Sequence, residues 1–146
     1  MVLQIFIGSV MILANVLAAG LAAWIMEWGF SRLHGWLLRE PHRPKLLMVL
    51  LVVSLWAMGV VTVGVWLWAI CFRLLGVFHT MEAAVYFSLT SYTTLGYGDV
   101  ILPKDWRILG AMTGAGGFLN FGILAAMLVE ALRHVRLSQL QAYRGK

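Results

Sequence analysis

The chain has 146 residues, of which 62% are hydrophobic, and it carries a formal net charge of +5. A mean hydropathy of +0.88 excludes an ordinary soluble protein, and the length allows a single domain. The basic residues lie beside apolar stretches instead of on one solvated face, which argues against a nucleic-acid partner. The single cysteine, Cys71, excludes an intrachain disulfide.

Three stretches, at 1–26, 46–72 and 108–129, contain no Asp, Glu, Lys or Arg. Each is longer than the roughly 20 residues that a helix needs to cross about 30 Å of hydrocarbon. The first lacks a basic leader and is about twice as long as the apolar core of a signal peptide, so we expect an uncleaved helix at 1–27. The pattern predicts an all-α membrane protein with three transmembrane helices.

Eight of the eleven basic residues follow the first or the third stretch. Positively charged loops stay in the cytoplasm, so we expect the N-terminus outside, and the linker at 28–45 and the tail at 136–146 inside. Pro41 and Pro44 predict that the linker is a short interfacial helix followed by a turn.

The end of this linker is rich in basic residues. Arg39, Arg43 and Lys45 are candidates for contact with anionic lipid headgroups, and a plain stop-transfer role explains them as well.

A short amphipathic stretch at 81–92 follows the second span, with Thr80 as a candidate N-cap. About 12 residues cannot cross a bilayer. The stretch leads into glycine-rich chain at 93–99, whose backbone polar groups need either burial in protein or a water-filled cavity at membrane depth.

The residues at 93–99 fit a path for a dehydrated cation. Backbone carbonyls can replace a hydration shell without adding full negative charge. Successive carbonyls point the same way when the backbone alternates between right- and left-handed conformations, and glycine accepts the left-handed one without strain. Gly96 and Gly98 occupy alternate positions. One such loop cannot surround an ion, so the chemistry requires several copies.

Residues 91–99, Ser-Tyr-Thr-Thr-Leu-Gly-Tyr-Gly-Asp, resemble the pore signature of the potassium channel family, usually Thr-Val-Gly-Tyr-Gly-Asp. The order of segments is similar to that of small bacterial channels with one extra N-terminal helix. The resemblance implies a pore domain at 46–135, divided into an outer helix at 46–72, a re-entrant pore helix at 81–92, a selectivity filter at 93–99 and an inner helix at 106–135.

The resemblance also implies passive K+ conduction by a homotetramer in the bacterial inner (plasma) membrane. The implied filter consists of Thr94, Leu95, Gly96, Tyr97 and Gly98, with K+ ions at the carbonyls of the first four and no other cofactor. Leu95 replaces the usual valine and keeps an apolar side chain behind the carbonyls. We expect Leu95 and Tyr97 to point away from the ion.

The candidates for filter support are Thr93, Asp99, Tyr86, Phe87 and Thr90. Tyr86 and Phe87 stand where many relatives carry paired tryptophans, and Tyr86 is the better donor to Asp99 or Tyr97 because phenylalanine has no hydrogen-bond donor. Thr90 stands where some relatives keep a glutamate, so we predict a filter that is braced differently.

Small and polar residues recur at helical spacing along the third span. The candidate pore-lining or gate residues are Thr113, Gly114, Gly117, Asn120, Leu124 and Met127. Packing on a neighbouring helix is the alternative for this stripe, and for its glycines a hinge and close helix packing are equally supported. We expect the amide of Asn120 to line a water-filled cavity, because it is costly in lipid.

The sequence has no pattern that indicates an enzyme, and its four histidines lack metal-ligand spacing. The first span lacks the regularly spaced Arg or Lys of a voltage sensor, so we expect no strong intrinsic voltage gating. A weakly selective cation channel and a non-conducting regulatory membrane subunit are the alternatives. The intact glycine pattern argues against the second.

Overall fold

A computed structural model of the protein describes residues 1–37 and 42–144, and these ranges contain no strand. The elements are four α-helices and one 3-10 turn: α1 (Val2–Leu37), α2 (His42–Leu74), α3 (Met81–Tyr92), the turn (Lys104–Trp106) and α4 (Arg107–Arg144). The prediction of an all-helical fold is confirmed for these ranges.

Three of the helices in the described ranges are long and apolar enough to cross a membrane. The qualifying segments are Val2–Arg32, Leu47–Leu74 and Lys104–Arg133, with mean hydropathies of 2.2, 2.4 and 1.7. Many of their large apolar side chains are exposed on the outside of the bundle. A helix pairs its own backbone groups, so it can present such a surface to hydrocarbon.

The helices extend further than the sequence predicts. α1 continues to Leu37 through the first part of the expected linker, and α4 continues to Arg144 through most of the expected tail. Pro44 lies in the first turn of α2, where a missing N–H costs no helical hydrogen bond, so it does not interrupt the helix. Residues 38–41 therefore separate α1 from α2 along the chain.

A cluster of aromatic side chains fixes α3 against the long helices. Phe87 of α3 meets Phe72 of α2 edge to face, with ring centroids 5.3 Å apart, and Trp68 lies 5.9 Å from Phe72. The other buried members of this core are Val65, Tyr92, Leu102 and Leu109. α3 therefore packs against α2 and α4, while α1 packs against α4 and α2. The position of the loop after α3 depends on this packing.

Candidate functional site: the loop after the short helix

The short helix α3 begins with a side-chain cap. Thr80 has extended backbone, and its hydroxyl oxygen accepts a hydrogen bond from the Ala83 amide at 3.3 Å. At the other end, the Thr93 amide donates to the Leu89 carbonyl at 3.0 Å, and the Thr93 hydroxyl donates to the same carbonyl at 2.7 Å. Both ends of α3 are thus fixed by threonine side chains.

The chain leaves α3 in a repeating backbone pattern. Thr94, Gly96 and Gly98 have φ values of 60°, 53° and 77°, so every second residue is left-handed. Gly96 and Gly98 are the positions that the sequence indicates. The left-handed conformation of Thr94 is not predicted from the sequence, because a β-carbon makes this conformation costly.

Two hydrogen bonds tie this loop to the last turn of α3. The Thr94 amide donates to the Ser91 carbonyl, and the Gly96 amide donates to the Thr90 carbonyl, both at 3.0 Å. These carbonyls lie at the helix end, where they lack helical partners. The loop therefore follows any displacement of the last turn of α3.

Asp99 joins the far end of the loop back to α3. The Tyr86 hydroxyl donates to Asp99 Oδ2 at 2.5 Å, and Asp99 Oδ1 accepts from the Val100 amide at 3.0 Å. The hydrogen bond to Asp99 is the main cause that raises the pKa of the Tyr86 phenol above its ordinary value of 10.0. This is one of the two pairings that the sequence indicates for Tyr86, and its part in filter support stays a prediction.

The other support candidates take different positions. Phe87 is buried in the aromatic core. The Thr90 hydroxyl donates to the carbonyls of Tyr86 and Phe87, both at 3.1 Å, so it bonds to its own helix. A short hydroxyl side chain in a helix commonly bonds back in this way. Among the five candidates, the link between α3 and Asp99 is made by Tyr86.

The candidate pore-lining stripe of α4 faces the inside of the subunit. Thr113, Asn120 and Leu124 are buried, and Met127 packs beside Leu124. Asn120 was expected at a water-filled cavity. It is 1% exposed, and its amide nitrogen donates to the Tyr92 hydroxyl at 2.5 Å.

The glycines of the stripe allow α3 to approach α4. A β-carbon on Gly117 would overlap the Tyr92 carbonyl, and one on Gly114 would lie 3.3 Å from the Ser91 carbonyl oxygen. Of the two explanations for these glycines, close packing is therefore what the structure shows at Gly117. At Gly114 and Gly117 the missing side chains let the end of α3 approach α4, as small residues do at helix contacts in membranes.

A buried polar cluster that the sequence analysis did not identify lies behind this contact. Asn120 donates to the Tyr92 hydroxyl, which in turn donates to Asn15 Oδ1 at 3.2 Å. Asn15 Nδ2 donates to the Met11 carbonyl at 2.8 Å. A β-carbon on Gly64 of α2 would overlap both the Tyr92 hydroxyl and Asn15 Oδ1. All four helices therefore meet here. In the sequence, the indication of this cluster is Asn15, because an amide in an apolar span needs a polar partner.

A second buried amide of α1 contacts the start of α4. Gln4 Oε1 accepts a hydrogen bond from the Leu109 amide at 3.3 Å. This amide lies in the first turn of α4, where backbone donors have no helical partner. Gln4 and Asn15 therefore attach α1 to the rest of the subunit at two separate points.

Comparison with known proteins agrees with this arrangement. A family model described as an ion channel matches residues 49–134, more than half of the chain. The match covers α3 and the loop and leaves α1 outside. No curated protein and no solved structure matches the chain. With three helices that are long and apolar enough to span a membrane, the chain is a multi-pass membrane protein that belongs to the ion channel family.

Proposed function

We propose that the protein is a potassium-selective channel that conducts K+ passively through a homotetrameric pore. The observation that carries the proposal is the left-handed backbone at Thr94, Gly96 and Gly98, directly after a helix too short to span a bilayer. In this arrangement the K+ ligands are the backbone carbonyls of Thr94, Leu95, Gly96 and Tyr97 and the Thr94 hydroxyl.

The ligands that the loop offers are neutral carbonyl oxygens, which suit a monovalent cation such as K+. Carbonyl oxygens replace the water around a monovalent cation without a full negative charge, so ions can bind and still leave. One loop supplies one side of each ion site. Four copies around a shared axis complete the sites, which is why the proposal includes cyclic symmetry.

Exposed side chains on the loop support an assembly of several copies. Leu95 and Tyr97 are 55% and 70% exposed in the single subunit, although both are large and lie beside the proposed ion path. A second copy of the same loop has the matching apolar and aromatic surface. Symmetric assembly therefore gives these side chains the packing that would hold the carbonyls in place.

The exposed face of α4 replaces the predicted stripe as the candidate for the subunit interface and the inner lining. Its residues recur at intervals of three and four along the helix, and Phe118 is 75% exposed. No charged residue lies between 108 and 129. The residues of this face are Phe118, Leu119, Gly122, Ala125, Ala126 and Val129.

The proposed orientation places the N-terminus outside and the C-terminus in the cytoplasm. It rests on the basic residues that follow α1 and α4 in the sequence. The proposed contact with anionic headgroups also rests on the sequence. Arg39 and the side chain of Arg43 lie outside the described residues, and Lys45 is buried against the subunit.

The reversal potential of purified protein in planar bilayers, under opposed K+ and Na+ gradients, tests this function. A value near the K+ equilibrium potential is expected, and Gly96→Ala serves as the control for current through the pore. A value near zero with measurable current would assign the protein to weakly selective cation channels. No current across a range of pH, membrane tension and lipid composition would favour either a gate with an unknown stimulus or a non-conducting membrane subunit.

A further inference from the structure

We propose that Asn15 of α1 is a positioning residue for ion selectivity, because its hydrogen bond to Tyr92 holds the last turn of α3, on which the loop at 93–99 rests. The inference builds on the proposed function, since K+ selectivity is the property that it would change. α1 would then be a working part of the pore instead of a membrane anchor.

The first step is the dependence of the loop on the last turn of α3. Thr94 and Gly96 are two of its three left-handed residues, and their amides bond to the carbonyls of Ser91 and Thr90. Carbonyl ligands discriminate between cations by their number and placement. A shift of the last turn therefore changes the ion sites directly.

The second step is what holds this turn. Tyr92 is fully buried, and its carbonyl lies against Gly117 of α4 without room for a β-carbon between them. The contact prevents the turn from moving toward α4. The Tyr92 hydroxyl lies beside Asn15 of α1, Gly64 of α2 and Asn120 of α4, so its hydrogen bonds determine how the side chain holds the turn.

The third step is the Tyr92 hydroxyl. Its one proton is donated to Asn15, and it accepts a hydrogen bond from Asn120. The Asn15 amide is itself oriented by its bond to the Met11 carbonyl. Buried hydrogen bonds in apolar surroundings have few competing partners, so the chain of donors fixes the hydroxyl at one position.

The fourth step concerns the origin of the contact. Asn15 lies 77 residues before Tyr92 and outside the segment at 49–134 that matches the ion channel family. The family match therefore does not include Asn15, and the hydrogen bond to Tyr92 is a contribution of the first helix of this chain.

The test compares Asn15→Leu and Tyr92→Phe with a matched control, Gln4→Leu. All three remove buried hydrogen-bonding groups. Gln4, like Asn15, is a buried amide of α1, but its hydrogen bond is to Leu109 of α4 and not to Tyr92. The K+/Na+ permeability ratio is taken from reversal potentials in planar bilayers, and the thermal stability of each purified variant is measured alongside.

We expect the permeability ratio to fall about fivefold or more in Asn15→Leu and in Tyr92→Phe, the factor that corresponds to one net hydrogen bond. The double variant should be no less selective than Tyr92→Phe alone, because Tyr92→Phe already removes the hydrogen bond to Asn15. Gln4→Leu should lower thermal stability, because it removes a buried hydrogen bond to α4. The permeability ratio should stay within about twofold of the original, which is less than the loss of one net hydrogen bond would give.

The possible failures are distinguishable. A wild-type protein without selectivity overturns the proposed function. A selective wild type with an unchanged ratio in Asn15→Leu, or with an equal loss in Gln4→Leu, overturns the role of Asn15. If Asn15→Leu does not assemble, Tyr92→Phe is compared with Asn120→Leu, which removes only the hydrogen bond from α4 to the Tyr92 hydroxyl. An unchanged ratio in Tyr92→Phe, or an equal loss in Asn120→Leu, overturns the proposal.

Discussion

Gly96 is the residue at which backbone conformation matters most directly for the proposed pore. Its φ is 53°, and apart from its chain neighbours no atom of the subunit lies within 4 Å of the place where a β-carbon would stand. Gly96→Ala therefore strains the backbone by about 1–2 kcal/mol without crowding the subunit. We expect K+ current to be lost while the oligomer remains intact, as measured by flux and by size-exclusion chromatography with light scattering.

Gly76 provides a matched control for that substitution. Its φ is 69°, and the space around it is equally open, but it lies in the turn between α2 and α3. Gly76→Ala has the same kind of backbone cost and should keep its current. Equal losses in the two variants would show that general destabilisation, and not the loop, explains the result for Gly96.

Tyr86 makes the side-chain link from α3 to Asp99. We expect the K+ current of Tyr86→Phe to decay sooner during a voltage step, because the far end of the loop loses its hydrogen bond to α3. Thr62→Val is the control, since the exposed Thr62 hydroxyl donates only to Met58 of the same helix. Sustained current of normal duration in Tyr86→Phe would contradict a supporting role for this hydrogen bond.

The pH dependence of the Tyr86 link follows from the sign of its pKa shift. The hydrogen bond to Asp99 raises the phenol pKa, so the folded protein holds this proton more tightly than the unfolded chain. The stabilisation that this hydrogen bond gives to the folded protein is fully present below a pH of about 10 and is lost as the pH rises through the raised pKa of Tyr86. We expect wild-type current to be steady from about pH 7 to 9. A loss of current within that range, absent in Tyr86→Phe, would contradict the assignment.

The contact between α3 and α4 depends on the missing side chain of Gly117. A β-carbon would meet the Tyr92 carbonyl, which is backbone and cannot rotate away. We expect Gly117→Ala to lower stability by about 1–3 kcal/mol, as overpacking does elsewhere. Thermal unfolding in detergent measures the change.

Gly59 of α2 is the control for Gly117. It is exposed, and apart from its chain neighbours and its own helix backbone no atom lies within 4 Å of its missing β-carbon, so Gly59→Ala should leave stability unchanged or raise it through better helix propensity. A Gly117→Ala protein as stable as Gly59→Ala would show that α3 does not pack against α4 as closely as the structure indicates.

Local rules predicted α3 better than they predicted α4. The Thr80 cap and the alternate glycines after the helix are readable because neighbours in sequence determine them. The direction of Asn120 was not readable. Helical spacing shows which residues share a face, but not what that face meets. The partner of Asn120 is Tyr92, whose other partner, Asn15, lies in a different helix far along the chain.

Oligomeric mass tests the whole molecule. The proposed pore needs four chains of 16.3 kDa around one axis. Light scattering or native mass spectrometry of the purified protein, with the detergent contribution subtracted, should give a tetramer. A stable monomer or dimer that still conducts would contradict the four-fold arrangement. Phe118→Ser should weaken assembly, because it removes apolar surface from the exposed face of α4.

The polar cluster also bears on the order of events during synthesis. Asn15 is made before Tyr92 and Asn120, so α1 enters the membrane when its amide has only the Met11 carbonyl of its own helix to bond. An amide in hydrocarbon is costly, which favours later association with a partner helix. The first helix is therefore made with an unfilled hydrogen-bonding position on Asn15, which can be filled only after Tyr92 of α3 has been made.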